Sequence, residues 1–341
     1  MAWTVAIGVD THKDVRVAVA CARLARELDG CQLQASARGY AQRWQWAQAL
    51  GEPAFAIEGC GSYGAGLARF LQASGASVFE CERPRRRERG RGKSDRIDAA
   101  LAARRLLSGT GLSRPRGQGR REQLRLLLLE RRGVVASRTA ALNQLQGVLV
   151  SAPERLRQRL GCLHGAKLAR AARVLPKGGA EQGTLVGVLR RLGRRVEQLE
   201  AELAELDAEL EAIVRALVPE LLDECGVGAV CAAQLVTSSG DPARMRSEAA
   251  FAALAGTSPV DASSGRQQRH RLNRGGDRQL NRALHVIALA RVRHDPKTAA
   301  YQERLLAAGK TPREARRCIK RALARHFYRR LLANAGLALT T

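Results

Sequence analysis

Aromatic residues are scarce in this sequence, where tryptophan, tyrosine and phenylalanine together account for 4% of 341 residues. Proteins that grip single-stranded nucleic acid by stacking its bases need aromatic side chains along a groove. With so few of them, the chain is a poor candidate for a single-strand-binding protein of that type.

Closely spaced cysteine pairs are also lacking. The eight cysteines are scattered along the chain, and no two of them form a Cys-x-x-Cys pair. Zinc fingers and dithiol redox motifs are built on such pairs. We therefore expect no zinc site, and we expect reduced cysteines of the kind found in cytoplasmic proteins.

Long apolar runs are missing as well. No stretch approaches the ~18 consecutive apolar residues that a membrane-spanning helix needs. The amino terminus, MAWTVAIGVD, has neither the charged segment nor the cleavage site of a signal peptide. We expect a cytoplasmic protein of a prokaryote, associated with the nucleoid and without a membrane partner.

Acidic residues and lysines are far outnumbered by arginine. The chain has 58 Lys and Arg against 32 Asp and Glu, which gives a formal net charge of +26, and only seven of the basic residues are lysines. Guanidinium groups grip phosphates through paired hydrogen bonds. Nucleic acid is therefore the leading partner, and an anionic membrane surface is the weaker alternative.

The first 107 residues alternate between short apolar runs and amphipathic stretches. The runs WTVAIGVD, DVRVAVACA, CQLQASA, PAFAIEG and SVFECE predict five strands. The stretches GYAQRWQWAQAL, YGAGLARFLQASG and SDRIDAALAARRLL predict three helices. A meander of three strands followed by alternating helices and strands is the element order of the RNase H-like fold, to which RuvC-like domains belong.

Four acids stand at the ends of these elements. Asp10 ends the first strand, Glu58 ends the fourth, and Asp95 and Asp98 lie one turn apart on the third helix. In an RNase H-like sheet the first and fourth strands are neighbours, so the four carboxylates would converge. Such a cluster repels itself unless cations neutralise it, and its oxygen ligands suit Mg²⁺ or Mn²⁺. A pair of such ions supports phosphoryl transfer.

Taken one at a time, these acids have simpler explanations. Asp10 fits a turn, Glu58 fits a solvated strand end, and the two aspartates of the helix fit capping near its positive end. The joint placement of all four favours the metal site.

An arginine-rich segment precedes the aspartate pair, with six arginines in the nine residues 83–91. These side chains are well placed in the sequence to hold the backbone of a nucleic-acid substrate. The residues that we assign to this role are Arg85, Arg86, Arg87 and Lys93.

The middle of the chain is helical. Residues 108–120, rich in Gly, Pro and Arg, predict a linker, and residues 121–219 predict a helical region. From Leu189 to Leu217 apolar residues alternate spacings of three and four, which predicts a coiled coil or a long helical hairpin. The apolar stripe either packs within the chain against residues 121–150 or forms a dimerisation arm, and both can hold.

Residues 220–341 predict a second helical domain. Its stretch LLDECGVGAVCAAQL resembles a helix-hairpin-helix element, with Gly226 and Gly228 in the turn. Backbone amides at such a turn can bind a phosphate, although any tight turn between helices would also use glycine. The last segment, TPREARRCIKRALARHFYRRLL, predicts a basic amphipathic helix.

Several motifs together resemble a known family. IGVDTHKD, AIEGCGSYGAGLARFL and KSDRIDAALAARRL are similar, in order and spacing, to the Asp-Glu-Asp-Asp (DEDD) transposases of insertion-sequence family 110, which are related to the Piv and MooV invertases. FAALAGTSPVDASSGRQQRHRLNRGGDRQLNRAL and YQERLLAAGKTPREARRCIKRALARHFYRRLL resemble the carboxy-terminal transposase domain of that family. The resemblance covers nearly the whole chain and departs at Cys225, where a proline is common.

The resemblance implies a DNA transposase, or site-specific recombinase, of the RNA-guided "bridge" kind. It implies that the four acids hold Mg²⁺ and that Ser264, five residues after Pro259, is the nucleophile that links covalently to DNA. It also implies a structured guide RNA, encoded by the element, that pairs with donor and target DNA. The family pattern further implies dimers that join into tetramers, with each active site combining the RuvC-like domain of one subunit and the serine domain of another.

The residues around the serine leave its role open. A serine hydroxyl is a weak nucleophile until a base or metal activates it, serines are ordinary in turns, and Ser263 remains a rival. Cations that could neutralise phosphates surround the pair: Arg266, Arg269, Arg271 and Arg274, with His270 as a further donor. A serine among arginines also fits passive binding of the DNA backbone.

Three hypotheses follow. The leading one is a metal-dependent recombinase that uses Ser264. The second is a RuvC-type nuclease in which water attacks and the serine plays no part, and Ser264→Ala separates the two. The third is a non-enzymatic, arginine-rich protein that binds DNA or RNA through counterion release, whose function Asp95→Asn would leave intact.

Overall fold

The computed structural model describes residues 3–83, 94–115, 119–176, 183–240, 245, 247–265 and 270–337. The chain divides into two compact units, Met1–Gly117 and Gln118–Thr341.

The N-terminal unit is built on a six-stranded sheet. Its strands are β1 Val5–Thr11, β2 Val15–Cys21, β3 Glu27–Gln34, β4 Pro53–Glu58, β5 Ser77–Cys81 and β6 Leu112–Ser113, and its helices are α1 Ala37–Ala49, α2 Ala65–Ala73 and α3 Asp95–Ser108. The strand order is β3-β2-β1-β4-β5-β6. The meander β1-β2-β3 is antiparallel, whereas β1, β4 and β5 run parallel. The predicted RNase H-like order, with the first and fourth strands adjacent, is confirmed.

The two faces of this sheet differ in the size of their side chains. On one face Ile7, Phe55 and Leu71 belong to the core that packs under α1 and α2. On the other face alanines dominate the contact with α3, among them Ala6 and Ala99. Small side chains let a helix approach a sheet closely, so the alanine face brings α3 near the strands.

Two sequence predictions need correction here. The third strand begins at Glu27, four residues before the predicted start at Cys31, and it ends at Gln34. Helix α1 starts directly afterwards, where the Ser36 side chain caps it by accepting a hydrogen bond from the Gly39 amide. The predicted linker 108–120 contains β6, which pairs antiparallel with β5. The linker therefore contributes an edge strand to the sheet.

The C-terminal unit is mainly helical. Its helices are α4 Arg120–Val150, α5 Glu154–Leu160, α6 Gly165–Arg173, α7 Gly183–Leu217, α8 Ala229–Ser239, α9 Glu248–Leu254, α10 Arg278–His294, α11 Pro296–Ala307 and α12 Pro312–Leu337, with a 3-10 turn at Pro219–Leu221. Two short strands, β7 Val260–Asp261 and β8 His270–Arg271, form an antiparallel hairpin. None of the helices in the described part of the chain is long and apolar enough to cross a membrane.

Helices α4 and α7 pack side by side and antiparallel. Arg131 pairs with Asp207, and Arg138 Nη2 lies 2.7 Å from Glu200 Oε1, so the numbering rises along one helix and falls along the other. The apolar stripe of α7 thus packs within the chain on residues 120–150. At its middle, Leu199 is only half-buried.

Apolar cores lie at the two ends of this helix pair. One core gathers α4, α6 and α7 around Leu145, Leu168 and Leu189. The other joins the opposite ends of α4 and α7 to α8, α9, α10 and α12, with Phe251 and Phe327 fully buried. The β7–β8 hairpin and the Gly226–Gly228 turn connect elements that pack in this second core.

Candidate active site

The site in the N-terminal unit begins at the carboxyl end of β1. Residues on this strand alternate between the two faces, so Asp10 lies on the same face as Ala6 and Gly8, toward α3. Asp10 is buried, with 7% of its surface exposed. The side chain is therefore enclosed between the sheet and the helix that carries the aspartate pair.

Gly8 explains how α3 comes so close to β1. A Cβ built at this residue would lie 1.9 Å from the carbonyl oxygen of Ala99 and 2.3 Å from the backbone nitrogen of Ala103. Only a residue without a side chain fits there. The first turn of α3, with its two aspartates, is consequently held over the end of the strand that carries Asp10.

The helix start shows that the aspartate pair is not needed as a cap. Ser94 has extended backbone geometry, and its side chain accepts a hydrogen bond from the Ile97 amide at 3.3 Å. Ser94 is therefore the N-cap. Asp98, one turn into the helix, is buried with 7% exposure, whereas Asp95 is exposed. Burial of a carboxylate is costly, so capping alone is an insufficient explanation of Asp98.

His12 joins two of the acids. Its Nε2 lies 3.3 Å from Asp10 Oδ2 and 3.3 Å from Asp95 Oδ1. Ligand atoms of these three residues lie within 4.8 Å of one another, which is the one such group of potential metal ligands within the described ranges. His12 is not among the site residues predicted from the sequence. Its position two residues after Asp10, on the same side of an extended segment, was the available signal.

The electrostatics of this cluster fit a cation. Burial raises the pKa of Asp10, the His12 charge opposes that rise, and the charges of Asp95 and Asp98 add to it. The three carboxylates thus repel one another across a partly desolvated space. The group combines two carboxylates, Asp10 and Asp95, with the His12 imidazole, and carboxylate oxygens suit a hard divalent cation.

Glu58 lies at the same edge of the sheet, at the end of β4. The parallel register pairs Val9 with Ile57, so Asp10 and Glu58 end neighbouring strands. Thr11 Oγ1 donates to the Glu58 carbonyl at 2.8 Å and ties the two strand ends together. The Glu58 carboxylate lies 3.5 Å from Arg83 Nε. Glu58 therefore lies at the same edge of the sheet as the other acids, but it does not belong to the group formed by Asp10, His12 and Asp95.

Two buried arginines support the turn that follows Glu58. Arg16 Nη2 donates to the Tyr63 carbonyl oxygen, and Arg43 Nη2 donates to the Arg16 carbonyl oxygen at 2.7 Å. Burial lowers the pKa of Arg43. These contacts link β2, α1 and the turn after β4.

The candidate serines lie in the C-terminal unit, after β7. The Ser263 amide donates to Asp261 Oδ1 at 2.9 Å, and the Ser263 hydroxyl hydrogen-bonds to the same oxygen. These hydrogen bonds lower the pKa of Asp261, which makes it a weak base. The Ser263 hydroxyl is therefore engaged in a local turn. Ser264 is exposed beside it.

The glycine turn before α8 is shaped by packing. Gly226 has φ +78, and a Cβ there would lie 2.9 Å from the Ala290 side chain and 3.2 Å from the Ile287 carbonyl oxygen on α10. Gly228 precedes the α8 N-terminus and has open space around it. Between the end of α7 at Leu217 and this turn lies the 3-10 turn Pro219–Leu221, and the helix-hairpin-helix element stays a prediction.

Glu224 anchors this turn to two helices. Its carboxylate lies 2.6 Å from Arg291 Nη2, 2.9 Å from His326 Nε2 and 3.1 Å from Arg330 Nε. Arg291 Nε also donates to the Cys225 carbonyl oxygen at 2.9 Å. Burial alone would raise the pKa of Glu224, but His326 and Arg291 outweigh it and lower that pKa.

Among the predicted nucleic-acid contacts, Arg271 and Arg274 are exposed, one on β8 and one just after it. His270 is exposed as well. The other predicted contacts lie outside the described residues: Arg85, Arg86, Arg87, Lys93, Arg266 and Arg269.

Two family models match this chain. A DEDD transposase model of the IS110 type matches residues 7–152, which contain all four acids. A model described as "Transposase IS116/IS110/IS902 family" matches residues 220–303, which contain the hairpin and Ser264.

Individual relatives are similar to the same regions. The 43.6 kDa protein of insertion element IS110 from Streptomyces coelicolor is 34% identical over 136 residues, which cover 39% of this chain and 34% of the relative. The 42 kDa protein of insertion element IS900 from Mycobacterium paratuberculosis is 28% identical over 272 residues, covering 67% and 68%. A probable family 20 transposase of Pseudomonas aeruginosa is 34% identical over 167 residues, covering 47% and 48%. The matches thus span from about a third to about two thirds of the relatives' lengths.

Proposed function

This chain belongs to the IS110 family of transposases, and from that premise we propose that it is a DNA transposase, a metal-dependent enzyme that cuts and rejoins DNA strands. The observation that carries the proposal is the carboxylate cluster of the N-terminal unit. Asp10 and Asp95 meet around His12, Asp98 is buried beside them, and Glu58 shares their edge of the sheet.

The four acids would hold Mg²⁺ or Mn²⁺. Such ions, when bound, lower the pKa of an attacking hydroxyl and offset the charge that develops on the leaving oxygen. The protein supplies the geometry: Gly8 lets α3 approach β1, and Thr11 ties the end of β1 to that of β4. Burial and the charges of Asp95 and Asp98 raise the pKa of Asp10, and a cation bound here would offset the repulsion between these carboxylates.

The proposed nucleophile is Ser264. Its hydroxyl oxygen forms a bond to the DNA phosphorus while the bond from phosphorus to the deoxyribose oxygen breaks. The hydroxyl proton leaves the serine, and the departing deoxyribose oxygen takes up a proton. A deoxyribose hydroxyl of the second strand then attacks the phosphoserine, which restores Ser264 and exchanges the strands.

Both serines are exposed, and hydrogen bonding supports Ser264 over Ser263 as the nucleophile. The Ser263 hydroxyl is engaged with Asp261, a carboxylate with a lowered pKa and so little tendency to accept a proton. Arg271 and Arg274 follow on the second arm of the hairpin and would neutralise phosphates near the serine.

The partners in this proposal are donor and target DNA, a structured guide RNA, and further copies of the chain as dimers and tetramers. The arginine excess supports binding of polyanions. The half-buried Leu199 and Leu203 at the middle of α7 offer apolar surface for a coiled-coil contact between copies. The open space at Gly228, before the N-terminus of α8, leaves room for a phosphate.

A nuclease without serine chemistry is the second candidate. The observation that favours it is that all four acids lie in the N-terminal unit, whereas Ser263 and Ser264 lie in the C-terminal unit.

The test is strand cleavage of DNA that carries the element's ends, measured with and without Mg²⁺. We expect cleavage by the wild type with Mg²⁺, and its loss in Asp95→Asn. Asp14→Asn is the matched control, because Asp14 is an exposed aspartate that follows the same strand and lies outside the cluster. Cleavage that survives in Asp95→Asn, or that needs no divalent cation, would contradict the proposal.

A further inference from the structure

Lys320 occupies an unusual position in the C-terminal unit. It lies on α12, half-buried against α10, where its Nζ donates to Asn281 Oδ1. Asn281 Nδ2 in turn donates to the Ala255 carbonyl oxygen at 2.6 Å. Two hydrogen bonds therefore connect Lys320 to the segment that leaves α9 toward β7.

That segment leads into the β7–β8 hairpin, and the segment that leaves the hairpin toward α10 is hydrogen-bonded to the same end of α9. The Asp277 amide donates to the Leu254 carbonyl oxygen at 2.6 Å, and Asn273 Nδ2 donates to the Ala253 carbonyl oxygen at 3.3 Å. Lys320 and Asn281 thus lie beside the base of the hairpin that leads to Ser264.

The ionisable side chains that act on Lys320 or lie beside it are basic. Arg316 lies one turn before it on α12, and His285 lies one turn after Asn281 on α10. Burial, followed by the charges of Arg317 and Arg316, lowers the pKa of Lys320. Burial, Lys320 and Arg316 likewise lower the pKa of His285. In the described part of the chain no carboxylate pairs with Lys320.

This arrangement differs from that of Arg291, a cation on the same helix as Asn281. Arg291 pairs with the Glu224 carboxylate and donates to the Cys225 carbonyl oxygen, so its charge is used inside the fold. Lys320 has three ammonium protons, of which Asn281 accepts one. A half-buried ammonium amid like charges destabilises the fold unless an anion joins it.

We propose that Lys320, oriented by Asn281 and flanked by His285 and Arg316, binds a backbone phosphate of duplex DNA beside the serine hairpin. Phosphate oxygens would accept the remaining ammonium protons and offset the clustered charge. DNA is favoured over RNA because the neighbouring hairpin carries the group that attacks DNA. The inference rests on the proposed function.

The test measures binding of a fluorescein-labelled 30-bp duplex of the element's end over a range of salt concentrations, with Lys320→Met and Lys320→Arg. We expect Lys320→Met to weaken binding about tenfold and to reduce the salt slope by about one phosphate contact. Lys320→Arg should restore most of the affinity. Lys310→Met is the matched control, because Lys310 is an exposed lysine just before α12, and it should change binding less than about twofold.

Thermal unfolding without DNA separates this role from a structural one. Because the ammonium is an uncompensated charge in the free protein, Lys320→Met should leave the Tm unchanged or raise it by a few degrees. A lowered Tm with weaker binding would indicate a structural lysine and overturn the inference. Unchanged DNA affinity, or a loss confined to RNA of equal length, would also overturn it. If the wild type binds no DNA, the proposed function itself fails.

Discussion

The carboxylate cluster and the serine hairpin present their chemical groups in opposite ways. Asp10 and Asp98 are buried on a strand and a helix whose contact is fixed by Gly8. Ser264 is exposed beside two strands of two residues each. The acidic cluster is therefore a product of the fold, whereas Ser264 is placed by local turns.

Removing one carboxylate should give the largest effect that distinguishes the buried acidic cluster from the exposed serine. Asp10→Asn should lower strand cleavage at least about a thousandfold, which corresponds to about 4 kcal/mol of transition-state stabilisation. The same change should raise the unfolding free energy of the cation-free protein, because burial and the neighbouring acids raise the pKa of Asp10. Cleavage rates and Tm values, each with and without Mg²⁺, measure both effects.

Asp14→Asn is again the control and should change neither quantity. A stability loss in Asp10→Asn without a cation would show that the carboxylate is structural, and it would break the comparison.

A side chain placed between β1 and α3 should reduce both the stability of the N-terminal unit and its cleavage activity. Gly8→Ala places a methyl group against the backbone of Ala99 and Ala103, so we expect a loss of about 3 kcal/mol in unfolding free energy, together with loss of cleavage. Gly147→Ala, in open space on α4, should instead stabilise by about 1 kcal/mol. Denaturant unfolding measures both. Equal effects at the two glycines would show that α3 does not depend on the close approach.

The pH dependence of the C-terminal unit offers a smaller effect. His326 and Arg291 lower the pKa of Glu224 despite its burial. A lowered carboxyl pKa contributes stability that is present above the unfolded value of about 4.5 and is lost as pH falls through the folded value. Glu224→Gln should therefore destabilise by about 2 kcal/mol at pH 7, and the difference from wild type should shrink below about pH 4.5.

Thermal unfolding of the two proteins between pH 3.5 and 7 measures this difference. Glu303→Gln, an exposed site on α11, serves as the control and should follow the wild type. A difference that stays constant across the range would contradict the assigned cause.

The sequence predicts the N-terminal unit well because its signals are local. Apolar runs mark the strands, and Asp10 and Glu58 end two of them that the RNase H-like order places side by side. β6 escaped prediction because a strand of two residues, Leu112 and Ser113, has no periodic signal and forms only by pairing with β5.

The C-terminal unit is less predictable because its key contacts join distant segments. The α7 stripe predicts an apolar face, but only the ion pairs of Arg131 and Arg138 show that α4 covers part of it. Gly226 looked like a phosphate-binding residue in the sequence, yet its lack of a side chain is required by α10. Lys320 gave no signal at all, since its neighbours come from two helices.

Covalent trapping tests the central claim most directly. Purified protein, its element-encoded RNA and labelled donor and target DNA are incubated with Mg²⁺ and then denatured, and DNA that migrates with protein is measured. We predict a covalent species for the wild type and for Ser263→Ala, and none for Ser264→Ala. Cleavage without any covalent species, or a species that persists in Ser264→Ala, would contradict a recombinase that joins the carboxylate cluster to Ser264.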